Sequence, residues 1–351
     1  MGDTTISWTE KTWNPTIGCT RISPGCKHCY AFTLHDMRHA AYLKGHQVPR
    51  QYAKPFGELQ LMEERLEQPL HWTKPSMIFV DSMSDLFHHD VPFEFIDRVF
   101  VTMAAAHWHT FQVLTKRSCR LMAYCSNPET PERLARILEN EFTRYNGISL
   151  AMQLRRDIPL DGECSIKRRW PLPNVWLGVS VENQIATVRL DDLVLTPAAV
   201  RFVSAEPLLG PLNLRSWLVS KKGFFKDVDA LEAGGKTYPK KAGLDWVISG
   251  GESGRFADNI RPSHPSWFQD LQADCAKLGI PYHFKQWGSW APRGLRAFTG
   301  NPEMIWLRES GELGQDRPDD RATQMVWGTK EANGRSLFGA TYSEFPAAVG
   351  I

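Results

Sequence analysis

The chain has 351 residues, of which 42% are apolar and 23% charged, and its formal net charge is +2. That is the composition of a soluble globular protein long enough to bury a large core; the overall charge gives no argument for nucleic acid and leaves room only for a local basic patch. Seven cysteines, an odd number, argue against a secreted disulfide framework, and no apolar run approaches transmembrane length. The start, Met1 to Thr5, lacks a basic stretch followed by an apolar run, so the expected setting is cytoplasmic, away from any membrane, with thiols kept reduced.

The first strand is expected around Thr5 to Thr9, feeding directly into a loop that carries Cys19, Cys26 and Cys29. Three thiolates on one short Gly- and Pro-rich loop can wrap a single iron–sulfur cluster and leave one iron open to a substrate or cofactor. A zinc ion with His28 or His35 as fourth ligand is the competing reading. The other four cysteines are scattered. A helix is expected from about Ala31 to Lys44, carrying Leu34, Met37, Arg38 and Tyr42.

Short apolar runs then recur at Met77–Val80, Thr110–Leu114, Val175–Val179, Val200–Val203, Trp246–Ile248 and Tyr282–Phe284, with the length and bounds of strands buried on both faces. Between them, Phe93 to Ala106 places Phe95, Val99 and Met103 at helical spacing, and Pro265 to Leu278 does so with Trp267, Leu271 and Cys275. About seven strands alternating with helices predict an α/β chain of parallel units: a partial or full (β/α) barrel, with a doubly wound open sheet as runner-up. No Gly-x-Gly-x-x-Gly turn follows the first strand.

Residues 126–173 read as a helical insertion, with a helix through Phe142 and a basic stretch at Lys167-Arg168-Arg169; residues 219–243 read as a surface loop. The barrel is expected over residues 1–292, and residues 293–351, with Met304–Leu307 and the turn Glu309–Glu312, as a small β-rich cap. Of thirteen tryptophans, Trp8, Trp13, Trp287 and Trp290 fall near site loops, where packing is the ordinary role and base stacking the alternative.

Polar residues collect where the strands end: Asp81-Ser82-Met83-Ser84-Asp85, Thr115-Lys116-Arg117, Ser180-Val181-Glu182, Ser204-Ala205-Glu206 and Ser249-Gly250-Gly251-Glu252-Ser253, then Lys285-Gln286. In barrels the C-terminal strand ends build the active site. Alternation along a strand turns Ser180 with Glu182, and Ser204 with Glu206, to the same side, so carboxylates and the cations Lys116, Arg117 and Lys285 converge over one mouth. A buried ion-pair network satisfying only itself is the structural alternative.

With its cysteine loop after strand one, the chain resembles radical S-adenosylmethionine (SAM) enzymes, although the usual first gap of three residues is six here. More closely it resembles a phage-associated family of three-cysteine proteins. The matching stretches are Thr12–Pro15 with the cysteines, Ser82–Phe87, Val113–Arg117, Leu177–Glu182, Phe202–Leu209, Gly250–Gly254 and Phe284–Gly288. The resemblance implies a radical-SAM-type barrel and a [4Fe–4S] cluster on Cys19, Cys26 and Cys29. It also implies SAM cleavage to a 5′-deoxyadenosyl radical that takes hydrogen from substrate. His28 or Tyr30 would pack on the adenine, and Ser82, Asp85, Ser180, Glu182 and Glu206 would line the SAM pocket. Lys116, Arg117, Glu252 and Lys285 are the candidate catalytic residues. An electron donor such as flavodoxin or ferredoxin is implied as partner, and a nucleic-acid base or nucleotide as substrate, in DNA modification or repair. Two other functions fit the residues: a zinc-stabilised nucleic-acid-binding protein, and a Mg²⁺-dependent nuclease-like enzyme using Asp85, Glu182 and Glu206.

Overall fold

The structure is a computed structural model that describes all residues except 1–2, 145–165, 167–168, 219–231, 234–235, 238–242, 255–256, 296–301, 317–318, 320 and 348–351. Seven parallel strands pair in chain order: β1 (Lys11–Trp13), β2 (Met77–Val80), β3 (Thr110–Thr115), β4 (Val175–Ser180), β5 (Val200–Ala205), β6 (Trp246–Gly250) and β7 (Tyr282–Gln286). The sheet curls into a half-barrel flanked by helices. Its strands are apolar runs because both faces are covered; all six residues of β4 are buried.

Outside the sheet lie α2 (Phe93–Ala105), α3 (Ser118–Cys125), α4 (Thr130–Arg144), α5 (Val188–Leu195) and α6 (Pro265–Leu278). Helix α2 buries Phe95, Ile96, Val99, Phe100 and Met103, a stripe at 3- and 4-residue spacing in the main core. Helix α6 starts with His264 accepting the Ser266 N–H and Pro265 in its first turn, and stops at Gly279, whose φ of +70° suits a left-handed cap.

A second core fills the concave side. Trp8, Phe79, Trp176, Val200, Phe202, Trp246 and Ile248 pack together there, with Trp8 and Phe79 ring centroids 4.7 Å apart. Gly178 makes room for this plug: a Cβ on it would sit 2.5 Å from the Phe202 ring.

The first strand is displaced from its expected place. Residues Thr5 to Thr9 form no strand; the Thr9 N–H reaches the Ile6 carbonyl at 3.3 Å, closing a turn that drops Trp8 into the plug. Strand pairing begins only at Lys11, opposite Ile78. The other six strands fall on the expected runs, extended by one to two residues at their C-terminal ends except for β2. The helix expected from Ala31 is α1 (Tyr30–Leu43), with Cys29 as its N-cap residue.

Of the basic stretch at 167–169, only Arg169 is among the described residues, and it is exposed; most of the loop at 219–243 lies outside them. After β7 come β8 (Trp290–Pro292), β9 (Met304–Leu307), β10 (Leu313–Gly314) and β11 (Thr323–Trp327). They form an antiparallel sheet in the order β8-β11-β9-β10, packed around Ile260, Trp290, Leu307 and Met325. Short α7 (Lys330–Asn333) follows, and residues 342–344 return to the free edge of β7, where the Phe284 N–H donates to the Tyr342 carbonyl at 3.1 Å. At the opposite edge, Asp3 bridges Lys11 of β1. Trp8, Trp13, Trp287 and Trp290 are all core residues no more than 2% exposed, so none offers a face for stacking. Among the described residues no helix is long and apolar enough to cross a membrane.

Candidate active site

The cysteine loop leaves β1 at the C-terminal edge of the sheet and lies against the ends of the following strands. Thr16–Ile17 pairs with Gln60–Leu61, and Gly18 bridges Ser84. Gly18 has φ +103°, and a Cβ there would lie 2.7 Å from the Glu58 carbonyl oxygen, so glycine is required. The Cys19 N–H donates to the Phe56 carbonyl at 3.0 Å. A 3₁₀ turn, Pro24–Cys26, follows, and Cys29 is the N-cap residue of α1, at the helix end whose dipole favours an anion.

Each strand end holds part of this loop. After β2, Ser82 and Met83 both donate to Asn14 Oδ1, at 3.1 and 2.8 Å, and the Ser82 carbonyl accepts the Tyr30 hydroxyl at 2.6 Å. Buried Asp81 accepts the Thr16 N–H and hydroxyl; burial nonetheless pushes its carboxyl up to about 8.

Asp85 is the anchor of the β3 turn. It accepts the Thr115 hydroxyl at 2.6 Å, the Lys116 N–H at 3.2 Å and the Arg117 guanidinium at 2.8 Å. Arg117 in turn reaches the cysteine loop, donating to Cys19 Sγ at 3.6 Å and to both oxygens of Thr20. Thr20 Oγ1 also meets His88 Nε2 at 2.9 Å.

At the end of β4, fully buried Glu182 pairs with Arg189 at 2.8 Å and lies against Gly25, where a Cβ would come within 3.1 Å of its carboxyl carbon. Burial works against this carboxylate, but Ser23, Arg189 and Lys116 together hold it below the usual range. Ser180 is buried, and its carbonyl accepts the same Arg189 at 2.6 Å.

Glu206, after β5, pairs with Lys285 of β7 at 3.0 Å. Gly250 leaves space for it, since a Cβ would stand 2.6 Å from Glu206 Oε1. Glu252, after β6, is buried and held by the guanidinium and backbone N–H of Arg261. His28 faces this last pair: burial and the Arg261, Lys27 and Arg21 charges lower its pKa against the pull of Glu252, and its buried Nε2 has no hydrogen-bond partner.

The sequence-predicted residues are therefore brought to one mouth, but most of them are already engaged. Arg117, Glu252 and Lys285 are each in an ion pair, as are Asp85, Glu182 and Glu206. Lys116 differs: half-buried, it makes no ion pair among the described residues, and its charge acts on Cys26 and Glu182.

The three thiols have distinct surroundings. Burial, then the Asp85 charge, pushes Cys19 up to about 11 despite Arg117. Cys26 is also disfavoured by burial, but the Ile22 backbone, Lys116 and Ser23 bring it below its ordinary value. Among the described residues, only His88, His89 and Asp90 have His, Cys, Asp or Glu ligand atoms all within 4.8 Å of one another. The three cysteines thus share a loop without converging on one point, and His35 is turned away, its Nε2 on the Lys54 carbonyl at 2.9 Å.

A family model described as "Protein of unknown function (DUF5131)" matches residues 3–346. The chain belongs to this family. No curated protein and no solved structure matches it. In this DUF5131 chain, sequence reasoning missed Asn14, Thr20, Arg189 and Arg261. Asn14 sits in the Trp-Asn-Pro run and Thr20 beside Cys19, so both carried a local signal. Arg189 on α5 and Arg261 in the loop before α6 each reach a strand-end carboxylate, and pairing of that kind has no periodic signature.

Proposed function

We propose that the chain holds a [4Fe–4S] cluster on Cys19, Cys26 and Cys29 and uses it with SAM to abstract hydrogen from a nucleic-acid base or nucleotide. The observation that carries this is the position of the three-cysteine loop, at the C-terminal edge of the first strand of a curled parallel sheet and against the ends of the strands that follow.

The residues present fit such a group. Three thiols on one loop are the donor set a cluster takes, one to each of three irons. Negative charge has a counterpart at each position: Arg117 at Cys19, Lys116 near Cys26 and the start of α1 at Cys29. A cluster held there, with a donor such as flavodoxin or ferredoxin, would supply one-electron chemistry toward SAM.

The chain's own residues position and exclude. Arg117 fixes the loop through Cys19 and Thr20, and the four ion pairs around the mouth hold their carboxylates in set directions. The aromatic plug closes the opposite side of the half-barrel to water. His28 offers an unpartnered buried nitrogen, and Lys116 a cation for an anionic group of cofactor or substrate.

Anaerobic reconstitution with iron and sulfide tests the proposal. The expected result is visible thiolate-to-iron absorption and, on reduction, release of 5′-deoxyadenosine from SAM, both lost when the three cysteines become alanine. A colourless protein that binds one zinc per chain and leaves SAM intact would overturn it.

A further inference from the structure

The segment that carries the cysteines is also one-sidedly charged. Residues 20–54 hold Arg21, Lys27, Arg38, Lys44, Arg50 and Lys54 against a single acid, Asp36, a formal +5 in a chain whose total is +2. All six cations are exposed. Among the described residues, only Lys54 forms an ion pair, with exposed Glu58 at 3.7 Å. A field of this sign beside a catalytic mouth concentrates anions there.

The same segment exposes flat or pliable apolar groups. On α1, Tyr30 and Met37 are 53% and 45% exposed and stand seven residues apart, with Lys44 a further seven along the same stripe. Tyr30 is a fixed platform, since its hydroxyl is held by the Ser82 carbonyl at 2.6 Å while its ring remains open to solvent beside Cys29. Arg21 and Lys27 precede this helix; Lys44, Arg50 and Lys54 follow it.

We propose that this face binds a single-stranded polynucleotide, its phosphates on the cations flanking α1 and its bases against Tyr30 and Met37. The substrate is then a base within a strand and not a free nucleotide, which rests on the reading of the mouth as a radical SAM centre. The rings of Tyr30 and Tyr42 and the apolar Met37, Ile22 and Leu43 are exposed among six cations, which suits a strand that offers a π-face and a charge at every step. The 14 residues of α1 span about 21 Å at 1.5 Å per residue, the length of about six stacked nucleotides.

Fluorescence anisotropy with a short dye-labelled single-stranded DNA, over a range of salt, tests this on the full chain. The four flanking cations without an ion pair among the described residues, Arg21, Lys27, Lys44 and Arg50, give a slope of log K against log salt of about −2.8. Replacing Lys44 and Arg50 together by Glu should weaken binding by at least about tenfold and flatten the slope by about 1.4, with an unchanged thermal midpoint. A free mononucleotide should not compete. Strand affinity unchanged in the Lys44→Glu/Arg50→Glu variant would overturn the proposal. So would absence of strand binding, including the case in which those residues instead bind an acidic protein such as flavodoxin. Iron content and SAM cleavage, measured without DNA, separate the two proposals: cleavage without strand binding sinks this one alone, and strand binding by a protein that takes no iron sinks the other.

Discussion

His283 gives the half-barrel a built-in sensitivity to acid. The side chain is fully buried on β7, where its Nε2 meets Arg335 at 3.0 Å and the Ser7 hydroxyl at 2.9 Å. A guanidinium can only donate, so Nε2 must offer a lone pair, and the proton sits on Nδ1, which has no partner. Burial, followed by the Arg335 and Lys285 charges, pushes the histidine down to about 3. The folded value lies below the unfolded one of about 6.5, so the stabilisation is fully present above pH 6.5 and is lost as pH falls toward 3. A difference of about 3.5 units corresponds to about 5 kcal/mol in total, lost at about 1.4 kcal/mol per pH unit. Gln at this position keeps an acceptor for Arg335 and cannot titrate. Urea denaturation of wild type and His283→Gln at a series of pH values isolates the effect. Their stability difference should shift by about 3 kcal/mol between pH 6.5 and pH 4, with wild type losing ground. A difference that stays constant over that interval would refute the assignment of a neutral buried histidine.

Gly178→Ala should lower stability by about 1–3 kcal/mol, read as a fall in thermal midpoint, because the new methyl meets the Phe202 ring inside a filled plug. Asp81 acts in the opposite pH direction from His283. Its folded pKa of about 8 exceeds the unfolded value, so its contribution is present below about pH 4 and is lost as pH rises toward 8. Asp81→Asn keeps the φ of +58° and the Thr16 contacts, and should make the pH-stability profile between 5 and 8 measurably flatter. Arg117→Gln breaks a largely buried pair with Asp85, at a cost of about 3–5 kcal/mol, and frees the loop at Cys19 and Thr20. Backbone amide hydrogen exchange across residues 18–21, read by mass spectrometry, should be faster in that variant than in wild type; an unchanged rate would mean that Arg117 does not hold the loop.

Six strands were legible because a strand covered on both faces must be apolar throughout, and runs such as Val175–Val179 stand out between polar ends. The first strand was not. Ile6 and Trp8 alternate with polar residues as a strand would, yet Trp8 is spent on the plug, and the pairing segment Lys11–Trp13 is short and begins with a charge. The convergence of Lys116, Glu182, Glu206 and Glu252 on one mouth followed from their common position after parallel strands. Which cation answers each carboxylate did not, because Arg189 and Arg261 are delivered by tertiary packing. The Ser-x-Glu spacing marked Glu182 as inward-facing, but nothing local says that it closes against Gly25 of the cysteine loop.

A half-barrel, unlike a closed one, leaves two rows of backbone groups at its margins. Here both are met by the chain itself: Asp3 bridges β1 at Lys11, and residues 342–344 lie along β7. The family match, residues 3–346, takes in both of these segments. An outside strand that sought to extend the sheet would first have to displace one of them. Recognition by strand addition is thereby discouraged at either margin, and partners are left to engage side chains over the mouth and α1.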